Sequence, residues 1–264
     1  MTTRKLIAET VAVESVEPGT RDAAFALFQH AYSGAERARF ERDLAEKQLI
    51  ILLRDRSSRA LKGFSTVLVH ELPDGEGTVI YSGDTVIDRE YWGQKQLQSA
   101  FARILLSYKT RVRRRRLYWF LLSKGYRTYL LLANAFPRAV PRHDRADDRY
   151  LRAMLDSLAS ARFGSQYDRD SGVVRYATPH EHVRSGLAPI TTRHLENAHV
   201  RFFAARNPGH QRGDELACLA EVRWRDLAGI AFRLAFAAAR RALTSRTFGP
   251  QRPRGWETRP AEGI

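Results

Sequence analysis

The stretch from Thr78 to Lys109, TVIYSGDTVIDREYWGQKQLQSAFARILLSYK, constrains this chain more than any other. An apolar strand pattern runs to Ile87, breaks over Asp88 to Gly93, and gives way to apolar residues at helical spacing. Leu97, Phe101, Ile104, Leu105 and Tyr108 fall on one helix face. A strand that feeds a helix N-terminus aims unpaired backbone N–H groups, and the positive end of the helix dipole, at one spot. Such a junction suits a phosphate or pyrophosphate.

The flanking segments give the junction a context. Arg21 to Tyr32 and Glu36 to Lys47 read as two short helices. Gln48 to Leu53 (QLIILL) reads as a buried strand. Leu61 to Leu72 is a second strand, closed by a Pro-Asp-Gly turn at 73–75 that joins it antiparallel to a third, Thr78 to Ile87. After the Gln94 to Lys109 helix come a basic run, Arg111 to Arg116, and a strand-like LYWFLL at Leu117 to Leu122. Ser123 to Phe136 reads as a helix ended by Pro137 and Pro141. Arg142 to Arg149 is polar and is expected as a linker or exposed loop.

Beyond it, a helix over Asp147 to Phe163, a short strand near Val173 to Tyr176, a helical piece from Arg193 to Arg206 and a long helix from Arg223 to Arg246 are expected. The Pro- and Arg-rich residues 249–264 form a tail expected to be disordered. The expected division is a core over 1–140, a mostly helical extension over 141–248, and that tail.

Composition sets the class. With 264 residues and 44% hydrophobic content, the chain can bury a substantial core. It has no apolar run of about 18 residues, the length of a membrane span. The N-terminus MTTRKLIAETVAVES does not read as a secretory signal, and the lone Cys218 cannot form an internal disulfide. A cytoplasmic protein is expected. The net charge of +15 comes from 38 arginines and six lysines against 29 acids. Arginine over lysine to this degree, with abundant alanine, is also what a GC-rich genome produces without selection for binding. A polyanionic partner is the functional rival: a nucleotide cofactor, an acidic carrier protein, anionic lipid or nucleic acid.

Two helices, three antiparallel strands, a helix at a phosphate-type junction, a strand and a helix make an order that resembles the GNAT superfamily of acyltransferases. The resemblance covers roughly residues 5 to 140. It is carried by that order and by two stretches, VIDREYWGQKQLQSAF and LYWFLLSKGYRTYLLLANAF. It implies an α/β fold with a mixed, mainly antiparallel sheet flanked by helices. Two of the strands would splay apart to admit the pantetheine of an acyl-CoA or acyl-phosphopantetheine donor. Carried over, the strand end that binds the pantetheine arm is Val86 and Ile87, and the phosphate loop is Gly93, Gln94, Lys95 and Gln96. The family's loop pattern is Q/R-x-x-G-x-G/A. Aligned on Tyr91, this chain has Trp92 for the basic or amide residue, and Lys95 and Leu97 where small residues are usual. A carrier-protein arm, with one phosphate, is therefore an alternative to coenzyme A.

Amine acylation needs a neutral amine and a base for its proton, while a thiolate leaves readily. Asp84, on the strand before the junction, is the candidate base; the alternative is that it marks a bulge after Gly83 or pairs with a surface arginine. Tyr126 and Tyr129 begin the helix where the family often places a tyrosine acid. The family's Tyr-x-x-x-Gly-Phe is absent there, and packing is the alternative. Ser123 is a candidate donor contact. His180-Glu181-His182 lacks a third ligand nearby in sequence, so no metal is expected. Cys218, between alanines and leucines, reads as a structural thiol.

The late helix has an apolar face of Leu227, Ile230, Leu234, Ala238 and Leu243, broadened by Phe232 and Phe236, with arginines on the polar side. It could pack on its own domain, cover an acyl tunnel or make peripheral membrane contact through 223–246. An N-acyltransferase acting on an amine is the expected function. A non-catalytic thioester- or partner-binding relative, or a basic nucleic-acid or membrane-surface protein, is the alternative.

Overall fold

The computed structural model describes residues 4–32, 34–73, 75–176 and 189–246. His180-Glu181-His182 and the 249–264 tail lie outside the described residues.

Apolar runs without period-two alternation build the middle of the sheet, because both of its faces are covered. β2 (Leu49–Asp55) points Ile50 and Leu52 to one face and Ile51 and Leu53 to the other. Likewise β5 (Arg116–Ser123) points Leu117, Trp119 and Leu121 one way and Tyr118 and Phe120 the other. Side chains alternate along an extended strand, so neither run has a solvent side. Each of these fully buried apolar side chains contributes on the order of 1.5–3 kcal/mol by leaving water.

Among the described residues, nine strands form one sheet. β1 (Leu6–Ala12), β2, β3 (Leu61–Glu71) and β4 (Gly77–Ile87) pair antiparallel in sequence order. β4 then pairs parallel with β5, the two being connected through α3 (Gln96–Val112). α1 (Pro18–Ala31) and α2 (Arg37–Ala45) separate β1 from β2, and α4 (Tyr126–Ala135) follows β5. This is the order and strand direction that the resemblance implied, and the fold is GNAT-like.

The sheet continues beyond β5 through a strand that the sequence reading expected near Val173 to Tyr176, and through others that it did not. After β6 (Ala139–Val140) come α5 (Arg149–Phe163), β7 (Tyr167–Asp168), β8 (Val173–Val174), α6 (Thr192–Leu195) and α7 (Ala198–Arg206). β9 (Glu215–Glu221) then inserts antiparallel against the free edge of β5, and α8 (Trp224–Arg246) ends the described chain. β1 and β9 both escaped the sequence reading. ELACLAE is short and rich in small residues of weak strand preference, and only its full burial between two helical layers makes it a strand.

One face of the sheet carries α3, α4 and α7, with Phe101, Leu105, Tyr129 and Phe203 in its core. The other carries α1 and α2 over β2 to β4, and α5 over β5 and β9, leaving a cleft between the two groups. The expected exposed loop over 142–149 proved partly internal. Arg142 is buried and donates to the carbonyls of Ala133 (2.6 Å) and Phe136 (3.3 Å), so it caps the C-terminus of α4. Asp144 holds its other edge at 2.7 and 2.8 Å.

Leu227 and Ile230 turn α8 onto α3 and α4, while Phe232 and Phe236 lie on its outer side, 72% and 58% exposed. The two phenylalanines therefore do not broaden the packed face as the sequence suggested. Helical angle decides this: both sit more than a quarter-turn away from Leu227 and Ile230.

Candidate functional site

β4 and β5 pair from Gly77 opposite Arg116 to Ser82 opposite Leu121, and then part. β4 runs on to Ile87 with β3 as its only partner. β5 continues to Ser123 with β9 as its partner. The last shared rung is pinned by Trp119, whose Nε1–H donates to Ser82 Oγ at 3.1 Å. Backbone N–H and C=O groups along Gly83–Ile87 that alternate toward β5 therefore meet a gap. An extended ligand arm entering it can pair with them as a strand would.

A bulge causes the divergence. Ser65 pairs with Thr85 and Val67 with Ser82, so Gly83 and Asp84 together oppose the single residue Thr66. Such an insertion bends and twists its strand. Glycine suits this position, since a Cβ would lie 2.4 Å from Thr66 Oγ1 and that side chain would have to shift. Asp84 is thus the bulge residue that the sequence allowed it to be. It also lines a cavity of about 600 Å³ in the cleft between α2 and α5.

The cleft has a dense set of charges. Burial pushes the Asp84 carboxyl pKa up, against the pull of Lys124 and Lys47 and with further push from Glu215. Lys47 is buried beside the bulge, its Cε 3.1 Å from where a Gly83 Cβ would stand, and its ammonium donates to the Asp43 carbonyl at 2.8 Å. Burial lowers the Lys47 pKa; burial, and then Asp84, raise that of Asp43. Glu215 accepts from the Tyr176 hydroxyl at 2.6 Å and pairs with Lys124 at 3.4 Å. Tyr81 lies under Arg162, whose guanidinium is 4.7 Å from the ring centre, and burial holds the phenol protonated. None of Lys47, Lys124, Tyr176 and Glu215 was legible in the sequence. They come from four separate segments and share no spacing.

On the opposite face, the loop after β4 is built by local bonds. Asp88 accepts from Glu90 N at 3.1 Å and from Lys62 Nζ at 3.1 Å. The Tyr91 hydroxyl donates to Asp55 at 2.9 Å. Trp92 donates from Nε1 to the Ile87 carbonyl at 2.8 Å, and the Arg127 guanidinium covers its ring at 4.7 Å. The departure from the family pattern at Trp92 thus places an indole across the mouth of the gap, facing the start of α4. Gly93 takes φ +83°, and Lys95 is the N-cap of α3 without a side-chain cap bond. The first-turn N–H groups of α3 are left for an anion.

The other expected residues have varied settings. Val86 is buried toward α1 and α2, and Ile87 spends its carbonyl on Trp92. Gln94 accepts from Leu6 N at 2.9 Å and donates to the Arg4 carbonyl at 3.2 Å, so it fastens β1 to the loop. Gln96 leaves its buried Oε1 without a partner at the α3 N-terminus. Ser123 is buried and bonds the Gly125 carbonyl at 2.8 Å. The structure does not bring Tyr126 and Tyr129 to the Asp84 cleft. The Tyr126 hydroxyl bonds His194 Nε2 at 3.1 Å, while that of Tyr129 donates to the Pro141 carbonyl at 3.1 Å beneath Phe202 and Phe203. Cys218 is fully buried in β9 and its thiol pKa is pushed up, as suits a structural thiol. Among the described residues, no group of three or more His, Cys, Asp or Glu side chains is arranged to hold a metal ion.

No family model matches the chain, and no curated protein matches it. Among solved structures, it is similar to a conserved Enterococcus faecalis protein described as a probable N-acyltransferase. That likeness has 16% identity and a TM-score of 0.36, and covers 47% of this chain but only 31% of that one. A GNAT family N-acetyltransferase from Escherichia coli in complex with CoA is similar at 14% identity and TM-score 0.35, over 51% of this chain and 69% of that one. An aminoglycoside acetyltransferase from an uncultured soil metagenomic sample is similar at 13% identity and TM-score 0.39, over 55% and 97%.

Proposed function

We propose that this chain transfers an acyl group from a thioester donor to an amine. One observation carries the reading: the parting of β4 from β5 at Ser82 and Leu121 opens a gap between a helix N-terminus on one face and the Asp84 cleft on the other. A pantetheine arm lying along Gly83–Ile87 would put its phosphate near Gly93–Gln96 and its thioester at the bulge.

Backbone N–H groups at the bulge would polarise the thioester carbonyl as the amine attacks. The new C–N bond forms as the C–S bond breaks, the ammonium proton passes to the Asp84 carboxylate, and the sulfur departs as thiolate. A base works best with a pKa near the working pH, and the upward displacement at Asp84 is in that direction. The remainder of the rate would come from holding amine and thioester together. Tyr126 and Tyr129 position α4 in this scheme, because their hydroxyls are engaged on the far side of the helix.

The donor is either acyl-CoA or an acyl-carrier protein, whose acidic surface would suit the basic chain. Among the described residues, no helix is long and apolar enough to cross a membrane. The test is thiol release from acyl-CoA, and then from acyl-carrier protein, over a panel of amines. Amine-dependent release supports the reading. Saturable donor binding without release would make the chain a thioester-binding relative instead, and the absence of both release and binding would overturn both readings.

A further inference from the structure

A second cavity, of about 320 Å³, lies between α3, α4 and α8. Trp119 forms its floor, held between Phe101 (5.5 Å between ring centres) and Phe136 (5.5 Å). Leu105, Leu131 and Ile230 add to its apolar walls. Its charged lining consists of Lys95 from the α3 N-terminus, Arg127 from the first turn of α4 and Arg233 from α8, and no acid lines it. None of these three cations meets a carboxylate among the described residues. Arg127 lies over the Trp92 and Tyr126 rings and, at 3.4 Å, bonds the Tyr126 hydroxyl.

From this we infer that the α3/α4/α8 groove, apolar within and rimmed by Lys95, Arg127 and Arg233, binds a single-chain amphiphile with an anionic head. The volume falls at the lower end of the range for small-ligand pockets, about 300–1,000 Å³. Apolar walls reward an aliphatic tail in proportion to the area it hides from water. With Lys95, Arg127 and Arg233 in the lining and no acid, charge-assisted bonds from the guanidinium groups would fix an anionic head. Gln98 and Asn134 are the uncharged polar side chains of the lining, and a polar edge turned instead to Phe101, Leu105 and Leu131 would go unpaired, at a cost. The head could be a phosphate, as in a phosphorylated lipid, or a carboxylate, as in a free fatty acid. The site is separate from the Asp84 cleft and does not depend on acyl transfer. Only its sharing of Lys95 with the donor loop ties it to that reading.

Calorimetric titration of the full chain with decyl phosphate, decanoate, decanol and inorganic phosphate tests the site. One-to-one binding of a decyl anion is expected, with the tighter of the two anions naming the head group. Decanol and inorganic phosphate should each bind at least about tenfold more weakly. Ala102→Trp, which fills the groove, and Arg233→Glu, which reverses an exposed rim charge, should each weaken the anion by at least about tenfold. Circular dichroism checks the fold of the first variant, and the second keeps the test alive should the first misfold. Decanol binding as tightly as the anions, absence of anion binding, or Arg233→Glu binding like the parent would overturn the inference. Thiol release measured on the same preparations separates the two ideas: release without amphiphile binding removes this site alone.

Discussion

Trp119 and Ser82 form a single hydrogen bond, 3.1 Å long, at the last rung shared by β4 and β5, with the gap opening directly beyond it. The bond marks the vertex of the gap. Ser82→Ala would strand a buried indole N–H, at a cost of about 1–3 kcal/mol. A lower midpoint in urea denaturation is expected. Trp119→Phe added to Ser82→Ala should cost less than the two single losses together, because the donor disappears with the acceptor.

The bulge gives a second expectation. Gly83→Ala puts a methyl 2.4 Å from Thr66 Oγ1, an atom that is itself buried without a partner. Overpacking of this kind costs about 1–3 kcal/mol. Thr66→Ala removes both the obstacle and the unpaired hydroxyl, so the double variant should recover most of the loss in thermal melting. If it does not, the obstacle is Lys47, whose Cε would lie 3.1 Å from the added methyl, rather than Thr66.

Asp84 joins function to stability. As the base, its replacement by Asn should lower turnover about 10²–10⁴-fold, with donor binding preserved. Unchanged turnover at neutral pH would remove Asp84 from the role. The sign of the stability effect follows from its raised folded-state pKa. The folded state holds the proton more tightly, so Asp84 favours the fold at low pH. That contribution is lost as pH rises from the unfolded value, about 3.9, through the raised folded one. Asp84→Asn should therefore raise the melting temperature at neutral pH, with a smaller gain in acid.

Asp55 behaves in the opposite sense. Bonds from Ser57 and Ser58, and from the Tyr91 hydroxyl, hold its carboxyl well below the usual range. Its contribution is present above the unfolded pKa and disappears as pH falls through the folded value. Tyr91→Phe weakens that hold and loosens the β4–α3 loop from β2. The variant should be less stable than the parent at neutral pH, and the difference should shrink in strong acid, as followed by far-ultraviolet circular dichroism.

Uninterrupted apolar runs made β2 and β5 readable from sequence, because a strand covered on both faces needs no pattern beyond hydrophobicity, while the Pro-Asp-Gly turn marked β3 and β4. β9 lacked even that, since Ala217, Cys218 and Ala220 are small and take their identity from the partners that surround them. At the site, Asp84 was legible because it lies in the same segment as the junction. The cleft's Lys47 and Glu215 were not, as only the folded sheet brings the turn after α2 and the start of β9 to one place. Tyr126 and Tyr129 were visible as helix-starting tyrosines, but the facing of their hydroxyls was decided by α6 and α7, through His194 and Phe203, and by the Pro141 carbonyl.

The insertion of β9 beside β5 has a consequence for the order in which the chain is made. Leu121 waits for Cys218 almost a hundred positions later before its strand gains a second neighbour. Until then β5 is an open edge, apolar on both sides and able to pair with another copy. A fragment cut near residue 140 should therefore accumulate as aggregates, and co-expression with a segment carrying 215–221 should restore its solubility. The late strand works as an intramolecular chaperone for the edge it eventually covers.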